Sequence, residues 1–175
     1  MKFRKNEGIL FWITGLSGSG KTTLANKIHN FVENKYGPTI IVSGDDLRKL
    51  LKFTKFDRKS RLNYALNYSN ICKKIVSQNI NVIFATVSLF HEVRLLNKKN
   101  INNYIEIYIK SNIDKLFERK EKFFYKKKYK NIVGKNLNAE FPQKPNIVVN
   151  NDFNSSFEEL SKILIKQLKI ISLKK

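Results

Sequence analysis

A short segment near the start of the chain combines glycine, lysine and threonine at a spacing typical of phosphate binding. Gly15, Gly20, Lys21 and Thr22 satisfy the pattern G-x-x-x-x-G-K-[ST], between a predicted strand and a predicted helix. Glycines let successive backbone N–H groups turn toward a phosphate, and the helix start adds partial positive charge. The pattern predicts a bound nucleoside triphosphate, with Lys21 beside the β- and γ-phosphates and Thr22 as a Mg²⁺ ligand. The other interpretation is a glycine-rich turn that precedes a helix by chance.

A carboxylate, Asp45, follows the second predicted strand within residues 43–48. At the carboxyl end of a strand beside the phosphate loop, it can accept the proton of a hydroxyl group as a phosphoryl group arrives. The alternative is that Asp45 caps a helix that starts before Leu47. The position therefore predicts a catalytic base, with helix capping left open.

Short apolar runs alternate with longer segments of helical periodicity along the chain. We predict strands over residues 9–14, 39–43, 82–87, 104–109 and 147–149 and helices over residues 21–35, 57–78, 90–98, 112–119 and 156–171. No repeat or linker divides this alternation. Continuous apolar strands separated by helices predict one α/β domain, a parallel sheet sandwiched between helices.

The composition limits the compartment and the partners. A formal net charge of +20, from 34 Lys and Arg against 14 Asp and Glu, attracts polyanions such as nucleotides, nucleic acids or anionic membranes. The single cysteine, Cys72, excludes a disulfide framework, and no Cys/His spacing suggests structural zinc. The lone cysteine predicts a reducing, cytoplasmic compartment. The lack of an apolar run of about 18–20 residues predicts that no membrane partner is involved.

Residues 15–23 resemble the phosphate loop of the adenylylsulfate kinases, small P-loop enzymes that phosphorylate a ribose 3′-hydroxyl. The resemblance implies one P-loop kinase domain over residues 1–175 and a small-molecule nucleotide as acceptor. It implies ATP as phosphoryl donor and Mg²⁺ as cofactor. The donor-binding residues that it implies in the loop are Gly15, Ser17, Gly18, Ser19, Gly20, Lys21, Thr22 and Thr23.

Residues 43–48 and 53–58 are similar to two acceptor-side motifs of the same family, Asp-Gly-Asp-Asn-x-x-Arg and Phe-Ser-x-x-Asp-Arg. The first similarity implies Asp45 as base or Mg²⁺ ligand and Arg48 as a contact of the acceptor. The second implies that Phe53 packs on the acceptor base and that Arg58 contacts its phosphate. Core packing for Phe53 and a solvated helix start for Arg58 are the alternatives.

Two further segments resemble the family. Residues 85–89 are similar to the family's Ala-Phe-Ile-Ser-Pro, and the matching Ser88 implies a contact with acceptor phosphate, with a turn residue as the alternative. Residues 116–127 align with the family's basic lid, here placed at about residues 119–138. The lid similarity implies Arg119 on the ATP side and Lys126 and Lys127 on the acceptor side, with a solvated charged helix as the alternative.

Departures from the family concentrate where the acceptor is expected. Arg61, which we include among the acceptor-binding residues, stands where the family has Asn, and Asn63, Leu89 and Ile132 also depart from its pattern. The chain in this respect resembles the cytidine diphosphoramidate kinase branch, found with bacterial capsular phosphoramidate synthesis. We expect cytidine diphosphoramidate as acceptor, with adenylylsulfate as the alternative. A homodimer is the assembly to test.

Two other classes of function stay open. A nucleic-acid binder would use the +20 charge, but the aromatic residues beside the basic run match the lid and no RNA-binding module is visible, so we expect no nucleic-acid partner. A P-loop switch would bind nucleotide and hydrolyse it slowly without a small acceptor. Either would yield no phosphorylated nucleotide product.

Overall fold

The computed structural model describes residues 4, 6–116, 118, 133–135 and 137–173. Its centre is a sheet of five parallel strands in the order β2-β3-β1-β4-β5. The strands are β1 (Leu10–Thr14), β2 (Thr39–Ser43), β3 (Asn81–Thr86), β4 (Tyr104–Ser111) and β5 (Ile147–Asn151). The helices are α1 (Lys21–Tyr36), α2 (Gly44–Leu50), α3 (Arg58–Val76), α4 (His91–Asn100) and α5 (Phe157–Leu173). The predicted α/β architecture is confirmed.

Alternate residues of the central strand β1 enter two separate hydrophobic cores. Phe11 and Ile13 pack on one face with α1 and α5, whereas Leu10 and Trp12 pack on the other face with α3 and α4. Every residue of β1 is buried, which is why its sequence is continuously apolar rather than alternating. The two cores place the sheet between helices.

The order of the strands locates the site. The chain runs from β1 in the centre to the edge strand β2, returns to β3 beside β1, and then continues to β4 and β5 on the other side. In such a sheet the direction of winding reverses next to β1, and ligands bind outside the carboxyl ends of the strands at that point. The loop that follows β1 is the predicted phosphate loop.

The short helix α2 was not predicted. It begins directly after β2, and its cap is Ser43, whose Oγ accepts a hydrogen bond from the backbone N–H of Asp46 at 3.1 Å. Ser43 Oγ in turn donates to Asp46 Oδ2 at 2.6 Å. The interpretation of Asp45 as a helix cap is therefore wrong, and its carboxylate pairs with Arg48 instead.

Residues 113–116 and 118 are helical, and the backbone N–H of Lys115 donates to Asn112 Oδ1 at 3.0 Å, as expected of a cap. The predicted end of this helix, Arg119, lies outside the described residues. Within the part of the chain that the structure describes, no helix is both long and apolar enough to cross a membrane.

Candidate active site

A cleft of about 470 Å³ opens at the carboxyl edge of the sheet. We call one part the loop side, formed by the phosphate loop, the start of α1 and the segment after β5. We call the other part the arginine side, formed by Asp45, Arg48, Phe56, Arg58, Arg61, Tyr64, Tyr68 and Ser88. The structure thus brings together residues that are far apart in the sequence.

Positive backbone φ angles shape the phosphate loop. Gly18 has φ 84° and Gly20 has φ 90°, a left-handed region that side chains with a Cβ rarely adopt. A Cβ at Gly20 would also lie 2.3 Å from Phe157 Cε1, the first residue of α5. Gly20 is therefore required both by the turn and by the close approach of the last helix.

The start of α1 has the donors that an anion needs. Gly20 is its N-cap, with no side-chain cap, and no acidic residue occupies the first turn, so its backbone N–H groups and its dipole are left for a ligand. Lys21 Nζ donates to the carbonyl oxygen of Leu16 at 2.7 Å, which holds the ammonium group over the loop. These features fit a bound phosphate.

Ser19 supplies a further polar atom to the loop. Its Oγ is buried and has no hydrogen-bond partner among the described residues. A buried hydroxyl without a partner is uncommon in folded proteins. This atom is consistent with a ligand at the loop, although Ser19 itself and Gly15 do not line the cleft, whereas Ser17, Thr22 and Thr23 do.

Side chains that follow β5 complete the loop side. Asn151 is buried, and its Nδ2 donates to the carbonyl oxygen of Ser19 at 3.0 Å while its Oδ1 accepts from the backbone N–H of Phe153 at 3.0 Å. Asn151, Phe153 and Phe157 all line the cleft. None of them was predicted, because only the ladder between β4 and β5 brings this end of the chain to the loop.

Asp45 is the carboxylate exposed to the cleft on the arginine side. Its side chain is 78% exposed, and its Oδ1 lies 3.0 Å from Arg48 Nη2 in an i,i+3 ion pair on α2. Asp46, whose carboxylate accepts a hydrogen bond from Ser43, does not line the cleft, so Asp45 is the acid of this helix that faces it. Both predicted residues, Asp45 and Arg48, line the cleft.

Phe56 holds two arginines close together. The Cζ atoms of Arg48 and Arg61 lie 4.9 Å and 5.3 Å from the centre of its ring, within the range of cation–π attraction. Arg61 Nε also donates to the Phe56 carbonyl oxygen at 2.7 Å. Burial, and then the charge of Arg48, lower the pKa of Arg61. Two neighbouring cations make this part of the cleft attractive to an anion.

Arg58 and Ser88 also line the arginine side, as predicted. Arg58 Nη2 lies 2.5 Å from Glu140 Oε1, and its guanidinium packs over the ring of Phe90 at 5.6 Å. Ser88 Oγ is buried without a hydrogen-bond partner in the described part of the chain. Arg58 is thus the first residue of α3, with a half-exposed side chain that Glu140 and Phe90 contact.

Phe53 does not line the cleft. Its ring stacks on that of Tyr64, with centres 4.0 Å apart and planes 8° apart, and packs against the core of α3 and β3. This placement matches the core-packing interpretation rather than contact with a ligand. Besides Phe56, two further aromatic residues line the arginine side, Tyr64 and Tyr68, which sequence reasoning missed because both lie on the apolar face of α3.

Of the predicted lid, Arg119, Lys126, Lys127 and Ile132 lie outside the described residues. Its end is described, and Val133, Leu137 and Asn138 line the cleft. Gly134 has φ 88°, and a Cβ there would lie 2.9 Å from Leu16 Cδ2 in the phosphate loop. The end of the predicted lid therefore packs directly on the loop side.

The sequence model of the adenylylsulphate kinase family matches residues 7–150. The cytidine diphosphoramidate kinase of Campylobacter jejuni is 34% identical over 168 residues, which cover 94% of this chain and 98% of that protein. The adenylyl-sulfate kinase of Clostridium kluyveri is 31% identical over 172 residues, covering 93% of this chain and 85% of that protein.

Solved structures give the same fold. The APS kinase of Mycobacterium tuberculosis in complex with AMPPNP and APS superposes with a TM-score of 0.81 and covers 93% of this chain and 98% of its own. Its sequence is 22% identical, so this likeness concerns the fold alone.

Proposed function

Because the chain belongs to the adenylylsulfate kinase family and is a kinase with an alcohol group as acceptor, we propose that it transfers the γ-phosphoryl group of ATP to the ribose 3′-hydroxyl of cytidine diphosphoramidate. The observation that carries this acceptor is the 34% identity with the C. jejuni cytidine diphosphoramidate kinase across nearly the whole of both chains. The reaction is a step of capsular phosphoramidate synthesis in this proposal.

ATP binds at the loop side in this proposal. The uncapped start of α1 and the positive φ of Gly18 and Gly20 support a triphosphate there. Lys21 contacts the transferring phosphoryl group and offsets its charge. The side chains after β5, Phe153 and Phe157, are placed to contact the adenosine part.

Thr22 and Asp45 would hold Mg²⁺ together with phosphate oxygens. Both line the cleft, and hydroxyl and carboxylate oxygens are the donors that Mg²⁺ prefers. Magnesium offsets charge on the β- and γ-phosphates when it is bound. The described residues contain no group of three or more acidic, His or Cys side chains that could hold a metal ion by themselves, so the remaining ligands would come from ATP and water.

On the arginine side, Asp45 accepts the proton of the acceptor's 3′-hydroxyl. Its ion pair with Arg48 orients the carboxylate toward the cleft. Arg48, Arg58 and Arg61 bind the anionic group of the acceptor, with Ser88 as a neutral donor. The lid, with Arg119, Lys126 and Lys127, covers both substrates and excludes water.

Steady-state kinetics with Mg²⁺, ATP and each of the two acceptors tests the proposal, with mass spectrometry of the products. We expect a higher kcat/KM for cytidine diphosphoramidate than for adenylylsulfate. An equal or higher value for adenylylsulfate would replace the proposed acceptor with the second candidate, which the 31% identity with the C. kluyveri adenylyl-sulfate kinase favours. Light scattering of the same preparation tests the predicted homodimer.

A further inference from the structure

We propose that Glu140 is a positioning residue for Arg58, and that it thereby sets the anion site for the acceptor. The inference rests on the proposed function, because it assumes that Arg58 binds the acceptor. Glu140 lies 82 residues from Arg58 in the sequence, just after the end of the predicted lid. Neither its position nor its residue type was singled out by the sequence patterns.

Both carboxylate oxygens of Glu140 are engaged. Oε1 accepts from Arg58 Nη2 at 2.5 Å, and Oε2 accepts from the backbone N–H of His91, at the start of α4, at 2.6 Å. The side chain is 19% exposed, against 52% for Arg58. One carboxylate therefore ties the first residue of α3 to the first residue of α4.

The backbone of Glu140 is fixed as well. Its N–H donates to the Leu89 carbonyl oxygen at 3.0 Å, and its own carbonyl oxygen accepts from Arg94 Nη2 at 2.6 Å. Arg94 Nε in turn lies 3.1 Å from Glu106 Oε1, and both of these side chains are almost fully buried. The backbone that carries the carboxylate is thus hydrogen-bonded to a residue of a buried ion pair.

The charge of Glu140 matters because both of its partners are donors. Burial alone would raise its pKa, but the hydrogen bonds from His91 and Arg58 and the positive charge of Arg58 lower the pKa below its ordinary value. The carboxylate is therefore ionised at neutral pH. An amide in its place offers one acceptor oxygen and one donor nitrogen, so it can satisfy Arg58 or His91 but not both.

Holding Arg58 saves the entropy that a long, half-exposed side chain loses when it binds an anion. The packing of its guanidinium over Phe90 reinforces the same orientation. Because Glu140 continues the segment that packs on Leu16, the orientation of Arg58 is also linked to the lid's end. Glu140 acts through Arg58 and need not touch substrate.

A double-mutant cycle tests the inference, using Glu140→Gln, Arg58→Gln and the double variant. KM for the acceptor, KM for ATP and kcat are measured with each acceptor nucleotide. We expect Glu140→Gln to raise the acceptor KM about tenfold, as for loss of one charge-assisted hydrogen bond, with little change in KM for ATP. In the Arg58→Gln background the same change should have almost no further effect.

Two more variants complete the design. Glu140→Asp keeps the charge and both acceptor oxygens and should recover part of the acceptor KM. Glu92→Gln, an exposed acid on α4, serves as the matched control and should behave like the parent. Thermal melting of every variant separates positioning from loss of fold.

The role of Glu140 would be overturned if the rise in acceptor KM in the double variant equalled the product of the rises in the two single variants. An equal rise in KM for ATP in Glu140→Gln would overturn it as well. A preference for adenylylsulfate that keeps the coupled pattern would overturn only the proposed acceptor. If the parent phosphorylated neither nucleotide, both the proposed function and this inference would fall.

Discussion

The loop side of the cleft is built mainly from the contiguous residues 15–23, whereas the arginine side collects Asp45 and Arg48 from α2, Arg58 and Arg61 from α3 and Ser88 from the segment after β3. In the proposed function, backbone N–H groups and one lysine bind the phosphates on the loop side. On the arginine side, several long side chains bind the acceptor in that proposal, and acids hold two of them in place. We infer that single substitutions are most damaging on the loop side and more graded on the arginine side.

The largest effect is expected for Lys21→Ala. Removing the cation that offsets charge on the transferring phosphoryl group should lower kcat by roughly 10³-fold or more. Lys27→Ala, which removes a lysine of the same helix that pairs with Glu158 and does not line the cleft, is the matched control and should stay near the parent. A loss of kcat below tenfold in Lys21→Ala would contradict the inference that single substitutions are most damaging on the loop side, since no other residue of the loop has an ammonium group.

Asp45→Asn should lower kcat by roughly 10²-fold, because an amide cannot accept the hydroxyl proton. Single-turnover measurement at saturating ATP and acceptor checks this directly. Asp114→Asn, an exposed acid that does not line the cleft, controls for the change in net charge. Phosphoryl transfer within about threefold of the parent would exclude Asp45 as the base.

Tyr64→Ala should raise the acceptor KM about tenfold, because it removes an aromatic face from the cleft on which a base can stack. Tyr64→Phe keeps the stack on Phe53 and should change the KM little. The ratio of kcat/KM between the two acceptor nucleotides should shift only in the alanine variant. An unchanged ratio and KM would show that Tyr64 only supports the fold.

The smallest effect on activity is expected for Asn151→Ala. This variant tests whether the loop side depends on a residue far from residues 15–23 in the sequence. The change leaves the Ser19 carbonyl and the Phe153 N–H without their partner, and should lower the free energy of unfolding by about 1–3 kcal/mol. We also expect a modest rise in KM for ATP, with kcat retained. Asn150→Ala, the exposed neighbour in β5, is the control for urea denaturation and kinetics. Equal stability of the two variants would contradict the role of Asn151.

Sequence patterns predicted the inner strands well because β1 and β3 are buried on both faces, and their central residues therefore read as apolar runs. They missed α2 because none of its seven residues is buried, which leaves no helical periodicity to detect. The phosphate loop was predictable because its residues are contiguous.

The residues that sequence reasoning missed depend on contacts across the fold. Asn151 reaches Ser19 over 132 positions, and Glu140 reaches Arg58 over 82. No local pattern marks a side chain whose role is set by a partner so far away in the chain. Phe53 shows the opposite error. A motif match predicted that it contacts the acceptor, but its ring stacks on Tyr64 and does not line the cleft.

The contact between Gly20 and Phe157 bears on the order in which the protein is made. Synthesis proceeds from the amino terminus, so the phosphate loop leaves the ribosome long before Asn151 and Phe157, which pack against it. Until those residues emerge, the loop lacks two of its supports. A nascent chain that has not yet reached residue 157 therefore lacks part of the support of its loop, so a ligand that binds the loop would stabilise the folded domain more than its early fragments.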